Sequence, residues 1–137
     1  MLFQAISLTL SLFILFSQSA TIDRTISVKD NDPILLKLVY SVGIHRINEV
    51  IGDSMWWIPA GPNYSATRTI TPISGDRHFT WVFKVLTQKS MCSRSSVPES
   101  NVKNCKLDVS AGKRICSVYI SYNEKNEKNT MDSEVYC

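Results

Sequence analysis

The sequence has no cysteine before position 92, and its four cysteines, Cys92, Cys105, Cys116 and Cys137, form no Cys-x-x-Cys pair. Histidine is limited to His45 and His78, far from the cysteines and without finger-type spacing, so a zinc site is disfavoured and no metal or other cofactor is expected. Four cysteines confined to the final third instead suit two disulfides in an oxidising compartment. With both bridges formed no free thiol remains. No nucleophile motif or paired-carboxylate spacing joins the two histidines either, so the residues do not point to an enzyme. The 15 lysines and arginines leave a formal net charge of only +3 and are scattered along the chain. Without an arginine-rich stripe or interleaved aromatics, nucleic-acid binding is not expected.

Charge is missing altogether from residues 1–20. An apolar run from Ile6 to Phe16 ends in Ser17-Gln18-Ser19-Ala20, with small residues for cleavage after Ser19 or Ala20. The competing reading is a membrane anchor. The run is shorter than the roughly 20 apolar residues that a span requires, and no second such stretch follows. Residues 1–20 therefore read as a secretory signal peptide and 21–137 as one domain, with an extracellular location and no membrane contact after cleavage.

What the mature chain does contain is one complete helix signature. Asp32 supplies an N-cap, Pro33 the first helical position and Gly52 a C-terminal stop. Between them Leu36, Val39, Tyr40, Ile47, Val50 and Ile51 recur at steps of three and four, while Leu35, Leu38, Val42 and Ile44 widen the apolar arc. An arc that wide predicts a helix over 33–51, about 28 Å long, that a sheet must wrap.

Ile22, Thr25, Ile26 and Val28 suggest a short edge strand. Met55-Trp56-Trp57-Ile58 runs into the breakers Pro59-Ala60-Gly61-Pro62, and its tryptophans are better explained as cover for one end of the core than as a ligand platform. Asn63-Tyr64-Ser65 is a sequon after those breakers, which makes Asn63 a candidate surface glycan acceptor. Residues 64–71 and 78–88 flank Pro72 to Asp76. In the second of these, Phe79, Trp81, Phe83 and Val85 alternate with Thr80, Lys84 and Gln88, which predicts a hairpin whose Pro- and Gly-containing turn projects from the sheet.

Cys92 to Cys105 encloses a serine-rich loop that reads as irregular, and Gly112 marks a turn in 106–113. Strands are expected over 115–122 and 130–137 around the polar turn Asn123 to Asn129. Hairpin connections without a second helix imply an antiparallel α+β sheet of four to five strands. Cys116 and Cys137 lie symmetrically about Asn126 and Glu127, so pairing the strands sets these cysteines opposite each other. Cys92 and Cys105 are then left to close the loop between two strands.

A leader, one long helix, a hairpin with glycine in its turn and four late cysteines joined first to second and third to fourth together resemble the secreted type 2 cystatins. Cathelicidin propieces share that fold. Cys116-Ser117-Val118-Tyr119-Ile120, followed by Asn129-Thr130-Met131 and Cys137, is similar to the last two cystatin strands; Arg46-Ile47-Asn48-Glu49 is similar to the helix end in both groups. The ten-residue gap between Cys105 and Cys116 is more like the cathelicidin propiece.

The resemblance implies a cystatin-like fold and occlusion of a papain-like cysteine protease by a wedge of N-terminal strand, first hairpin turn and second hairpin turn. The first turn falls on Thr71, Pro72, Ile73, Ser74 and Gly75, where Thr71 stands for the family's glutamine and Ile73 for its valine. The second turn lacks the family's Pro-Trp, and no glycine precedes the helix. The legumain-binding Ser-Asn-Asp of some cystatins falls on Ile51-Gly52-Asp53, which keeps only the aspartate. Inhibition through Ile73 and Gly75 is thus one expectation. A non-inhibitory interaction protein of reproductive-tract or host-defence type, which has lost the wedge, is the other. Under either reading the chain is expected as a monomer or as a dimer exchanging its helix and first strands.

Overall fold

The computed structural model describes residues 22–137, so the leader assigned to residues 1–20 lies outside the described residues. The chain is α+β: strand β1 (Arg24–Ser27), a long helix, strand β2 (Met55–Pro59), the hairpin β3 (Thr67–Ile73) and β4 (Asp76–Ser93), then β5 (Lys113–Asn123) and β6 (Asp132–Tyr136). All pairings are antiparallel, in the order β1-β3-β4-β5-β6. β4 serves two partners on one edge. Its first part pairs with β3, from Asp76 to Val82, and its last part with β2, from Thr87 to Ser93.

The sheet has six strands among the described residues, where the sequence suggested four to five. The extra one is β2. Trp56, Trp57 and Ile58 are all buried, so the segment lacks the alternation that marks a strand with one wet face, and its register with β4 shifts between Met55 and Trp57.

The helix spans Pro33 to Ile51 in three continuous segments: α1 (Pro33–Leu38), a π-turn (Val39–Gly43) and α2 (Ile44–Ile51). Its ends follow the sequence. Asp32 Oδ1 accepts from the Ile34 and Leu35 amides at 2.9 and 3.0 Å, and Gly52 closes the helix at φ 69°, a left-handed conformation that favours glycine. Its middle does not. At about 100° per residue, an unbroken α-helix would turn Ile44 some 140° away from Val39. The π-turn, in which the Ile44 amide reaches back to the Val39 carbonyl, absorbs the extra residue and returns Ile44 to the buried side.

The wide apolar arc is therefore two narrower faces joined by a slip. Leu35, Leu38 and Val39 form one, and Ile44, Ile47 and Asn48 the other. Val50, read as part of the apolar face, is exposed, and Asn48 takes a buried place beside Ile47. The first face, joined by Ile47 of the second, packs on Phe79, Trp81, Phe83, Val85, Val118 and Ile120 of the sheet, while Ile44 packs with Trp56, Ile58 and Val102. Each such side chain contributes about 1.5–3 kcal/mol through burial.

Asn48 fastens helix to sheet. Its Nδ2 donates to the Ile44 and Trp57 carbonyls, both at 2.8 Å, and its Oδ1 accepts from the Trp57 amide at 2.7 Å. Beside it Asp53 accepts from the Met55 amide at 3.1 Å, from Trp57 Nε1 at 3.1 Å and from Lys89 Nζ at 2.8 Å. These three donors hold its carboxyl well below the usual carboxylate range, the Lys89 contact foremost. Disulfides Cys92–Cys105 and Cys116–Cys137 join residues 13 and 21 apart. Each adds on the order of 3 kcal/mol by restricting the unfolded chain. The β5–β6 register, with Ser117 opposite Tyr136, is the one that sets Cys116 against Cys137.

Three local readings change. The 92–105 loop contains a 3-10 turn, Glu99–Asn104, which buries Val102 against Ile44, Trp56 and Ile58. Gln88, read as lying on the face opposite Phe79 to Val85, is buried because its Nε2 donates to the Asp108 and Ala111 carbonyls and folds the 108–111 loop over it. The first hairpin strand begins at Thr67 rather than Tyr64, since Ser65 takes φ 44° and the Tyr64 amide is tied to Asp30 Oδ1 at 2.9 Å.

Candidate functional site

The β3–β4 hairpin closes through two residues, Ser74 and Gly75, at φ 48° and 80°. Positive φ at both positions matches the twist of the flanking strands, and Gly75 accepts it without steric cost. The five-residue turn expected over Pro72 to Asp76 is thus tighter. Pro72 and Ile73 belong to β3, paired with Arg77 and Asp76, and Thr71 pairs with His78. Pro72 lies beyond the last β1 pair, Arg24 with Ile70, so its missing N–H leaves no bond to β1 unmade. Ile73, at 51 % exposure, stands at the tip with Ser74 and Gly75 exposed beside it.

Two other segments reach the same end of the sheet. Continuing the β1–β3 register from Arg24 opposite Ile70 brings the exposed Ile22 level with Pro72. His78 pairs with Asn123, so the β5–β6 connection begins beside the hairpin tip. That connection is ordered: a 3-10 turn (Glu124–Asn126) runs into a short helix, α3 (Glu127–Thr130). Asn123 caps it, its Oδ1 accepting from the Lys125 amide at 2.9 Å while its own amide donates to Thr130 Oγ1 at 2.8 Å.

Ion pairs tie the two turns together. Arg77 donates through Nε to Glu124 Oε2 at 2.7 Å and through Nη2 to Glu124 Oε1, a two-pronged contact. Lys125 pairs with Asp76 Oδ1, and Asn123 Nδ2 donates to Asp76 Oδ2 at 3.4 Å. Lys125 holds the Asp76 carboxyl below its ordinary range, and Glu124 raises the Arg77 guanidinium. These side chains were not singled out in the sequence. Opposite charges on the shoulders of two turns are visible there, but only the β4–β5 register brings them into contact.

The other residues with chemical potential lie elsewhere. His45 faces Glu99 Oε2 through Nδ1 at 2.8 Å and Glu49 Oε1 through Nε2 at 3.2 Å, on the outer side of α2. His78 is in the hairpin, so the two histidines are not brought together. Asp53, the surviving residue of the legumain-type motif, is engaged by Lys89, Trp57 and Met55. Asn63 is exposed, and its Oδ1 accepts from the Ser65 amide at 3.3 Å and the Ser65 hydroxyl at 3.4 Å, next to the start of β3 and away from the tip. No family model, no curated protein and no solved structure matches this chain.

Proposed function

We propose that this chain is a secreted, cystatin-like inhibitor that occludes the cleft of papain-like cysteine proteases with the hairpin tip. The observation that carries this reading is the convergence of three segments on one sheet end, with Ile73 half exposed on a two-residue turn between them. A wedge works when a few apolar anchors are presented on a backbone already in its bound shape, because little freedom is then lost on binding. Thr71 and Pro72 stiffen the approach, Ile73 is the anchor, and Ser74 and Gly75 allow the main chain to come close. Asn63 lies by the other end of β3, so a glycan there leaves the tip clear. The bridges, with no membrane-crossing helix among the described residues, agree with an extracellular protein.

The second reading is a cystatin-like interaction protein without inhibitory activity. It is favoured by the β5–β6 connection, whose exposed Glu124, Lys125 and Asn126 present charge where a flat apolar anchor would be needed. Titration of the oxidised mature chain against a papain-like protease separates the two, with Ile73→Asp as the control. Tight inhibition that the control abolishes supports the wedge. No inhibition at micromolar protein with both bridges formed leaves the interaction protein.

A further inference from the structure

The helix covers one face of the sheet, and the other face is open. Its residues lie in rows that the strand registers define. Lys84, Ser117 and Tyr136 form one row, and Leu86 and Ile115 the next, with Gln88 and Lys113 beyond them. Over Gln88 folds the 108–111 loop, with Val109 in it. This half of the face holds side chains that a monomer normally covers: Val109 is 90 % exposed, Ile115 61 %, Tyr136 62 % and Tyr119 41 %.

Cations share this half of the face. Lys84 and Lys113 lie in the rows of this face, while Lys89 pairs with Asp53 and Arg94, Lys103 and Arg114 lie over the rings of Trp56, Tyr40 and Trp57. Lys84, Lys106, Lys113 and Arg114 form no ion pair among the described residues. The acid between them, Asp108, is occupied as an acceptor for the Ser110 amide and hydroxyl. Lys84 and Lys113, distant in the sequence, thus flank exposed aliphatic and tyrosine side chains on this face, whereas Arg114, opposite Thr87, turns to the other face and lies over Trp57 at 5.0 Å.

We infer that this half of the open face docks on an anionic lipid bilayer, with Val109 and Ile115 entering the interface and Lys84 and Lys113 against the headgroups. A polyanion in solution would use the cations but gives Val109 and Ile115 no reason to be bare, whereas a bilayer interface takes both. Tyr119 and Tyr136, packed edge to face at 5.9 Å, have the amphipathic character that interfaces select. This proposal departs from the expectation that the mature chain touches no membrane. The contact is peripheral, since no helix among the described residues is long and apolar enough to cross one. Gln88 and the hairpin turn lie about 40 Å apart along β4 at about 3.3 Å per residue, so the docking residues and the tip do not overlap.

The test is co-sedimentation of the processed, disulfide-bonded protein with vesicles of phosphatidylcholine alone or with about 30 % phosphatidylserine. Binding is expected to the anionic vesicles only. Lys84→Gln and Lys113→Gln should each lower the partition about fivefold, and Val109→Asp with Ile115→Asp at least tenfold. Both positions are solvent-facing, and matching near-ultraviolet circular dichroism shows that the variants are folded. Equal binding to neutral vesicles, or indifference to the aspartate pair, overturns the proposal. So does retention on heparin without any vesicle binding, which would assign Lys84 and Lys113 to a soluble polyanion.

Discussion

The two ends of this sheet are built from the same kinds of side chain and are held in opposite ways. At the base, one buried amide and one half-buried carboxylate, Asn48 and Asp53, gather six contacts between helix, β2 and β4. At the tip, Asp76, Arg77, Glu124 and Lys125 make comparable contacts nearer the solvent: Asp76 is half-buried, but its partners Arg77, Glu124 and Lys125 are exposed. Polar contacts in a dry place fix an architecture, because losing one partner strands the other. The same contacts in water orient a surface while adding little to stability.

That contrast is open to attack by mutation. The largest effect should come from Asn48→Ala, which leaves the Trp57 amide and carbonyl buried without partners. A loss of about 3 kcal/mol is expected in chemical unfolding. Asp53→Asn keeps the shape but gives up the Lys89 pair, and should cost about 1–2 kcal/mol in the same measurement. A double-mutant cycle on Arg77→Ala and Glu124→Ala should show a coupling below about 0.5 kcal/mol in stability. A larger value would place the tip in the same class as the base. Ile73→Asp should change stability least of all, within about 0.5 kcal/mol, while removing whatever affinity the tip provides.

Acid sharpens the comparison further. Both carboxyls have folded-state pKa values below their ordinary 3.8, so the stability they contribute is fully present above about pH 4 and is lost as pH falls through the lower folded values. Both are half-buried, but Asp53 gathers three donors, among them the Met55 amide and the Trp57 ring, whereas Asp76 is held by the exposed Lys125 and a long contact from Asn123. Replacing Asp53 with asparagine should therefore flatten the acid limb of a stability–pH curve more than the same change at Asp76. The reverse order would mean that the tip, not the base, carries the acid sensitivity.

The helix ends, the hairpin, the facing of Phe79 to Val85 and the partnership of Cys116 with Cys137 were legible because each is a local or periodic signal. Capping chemistry, alternation and symmetric spacing survive without knowledge of the rest of the chain. β2 was not legible, since a strand buried on both faces shows no alternation. Asn48 was not either, because an asparagine in a helix looks solvated until its two partners on Trp57 are known. At the candidate site the anchor Ile73 could be named, but the clamp of Asp76, Arg77, Glu124 and Lys125 depends on a strand register that brings residues 47 positions apart into contact. The placing of Lys84 and Lys113 on one face is hidden for the same reason.

The π-turn at Val39–Gly43 has a meaning for the gene as well as for the helix. It holds one residue more than an α-helical path needs, and that surplus falls by the exposed Ser41, whose hydroxyl donates to the Lys37 carbonyl at 2.6 Å. A single-codon deletion at Ser41 would convert the segment to plain α-helix, with both buried faces still turned inward. Most one-residue deletions in a helix rotate everything downstream. In this chain, length can drift by one at the very middle of the helix while the core stays in step.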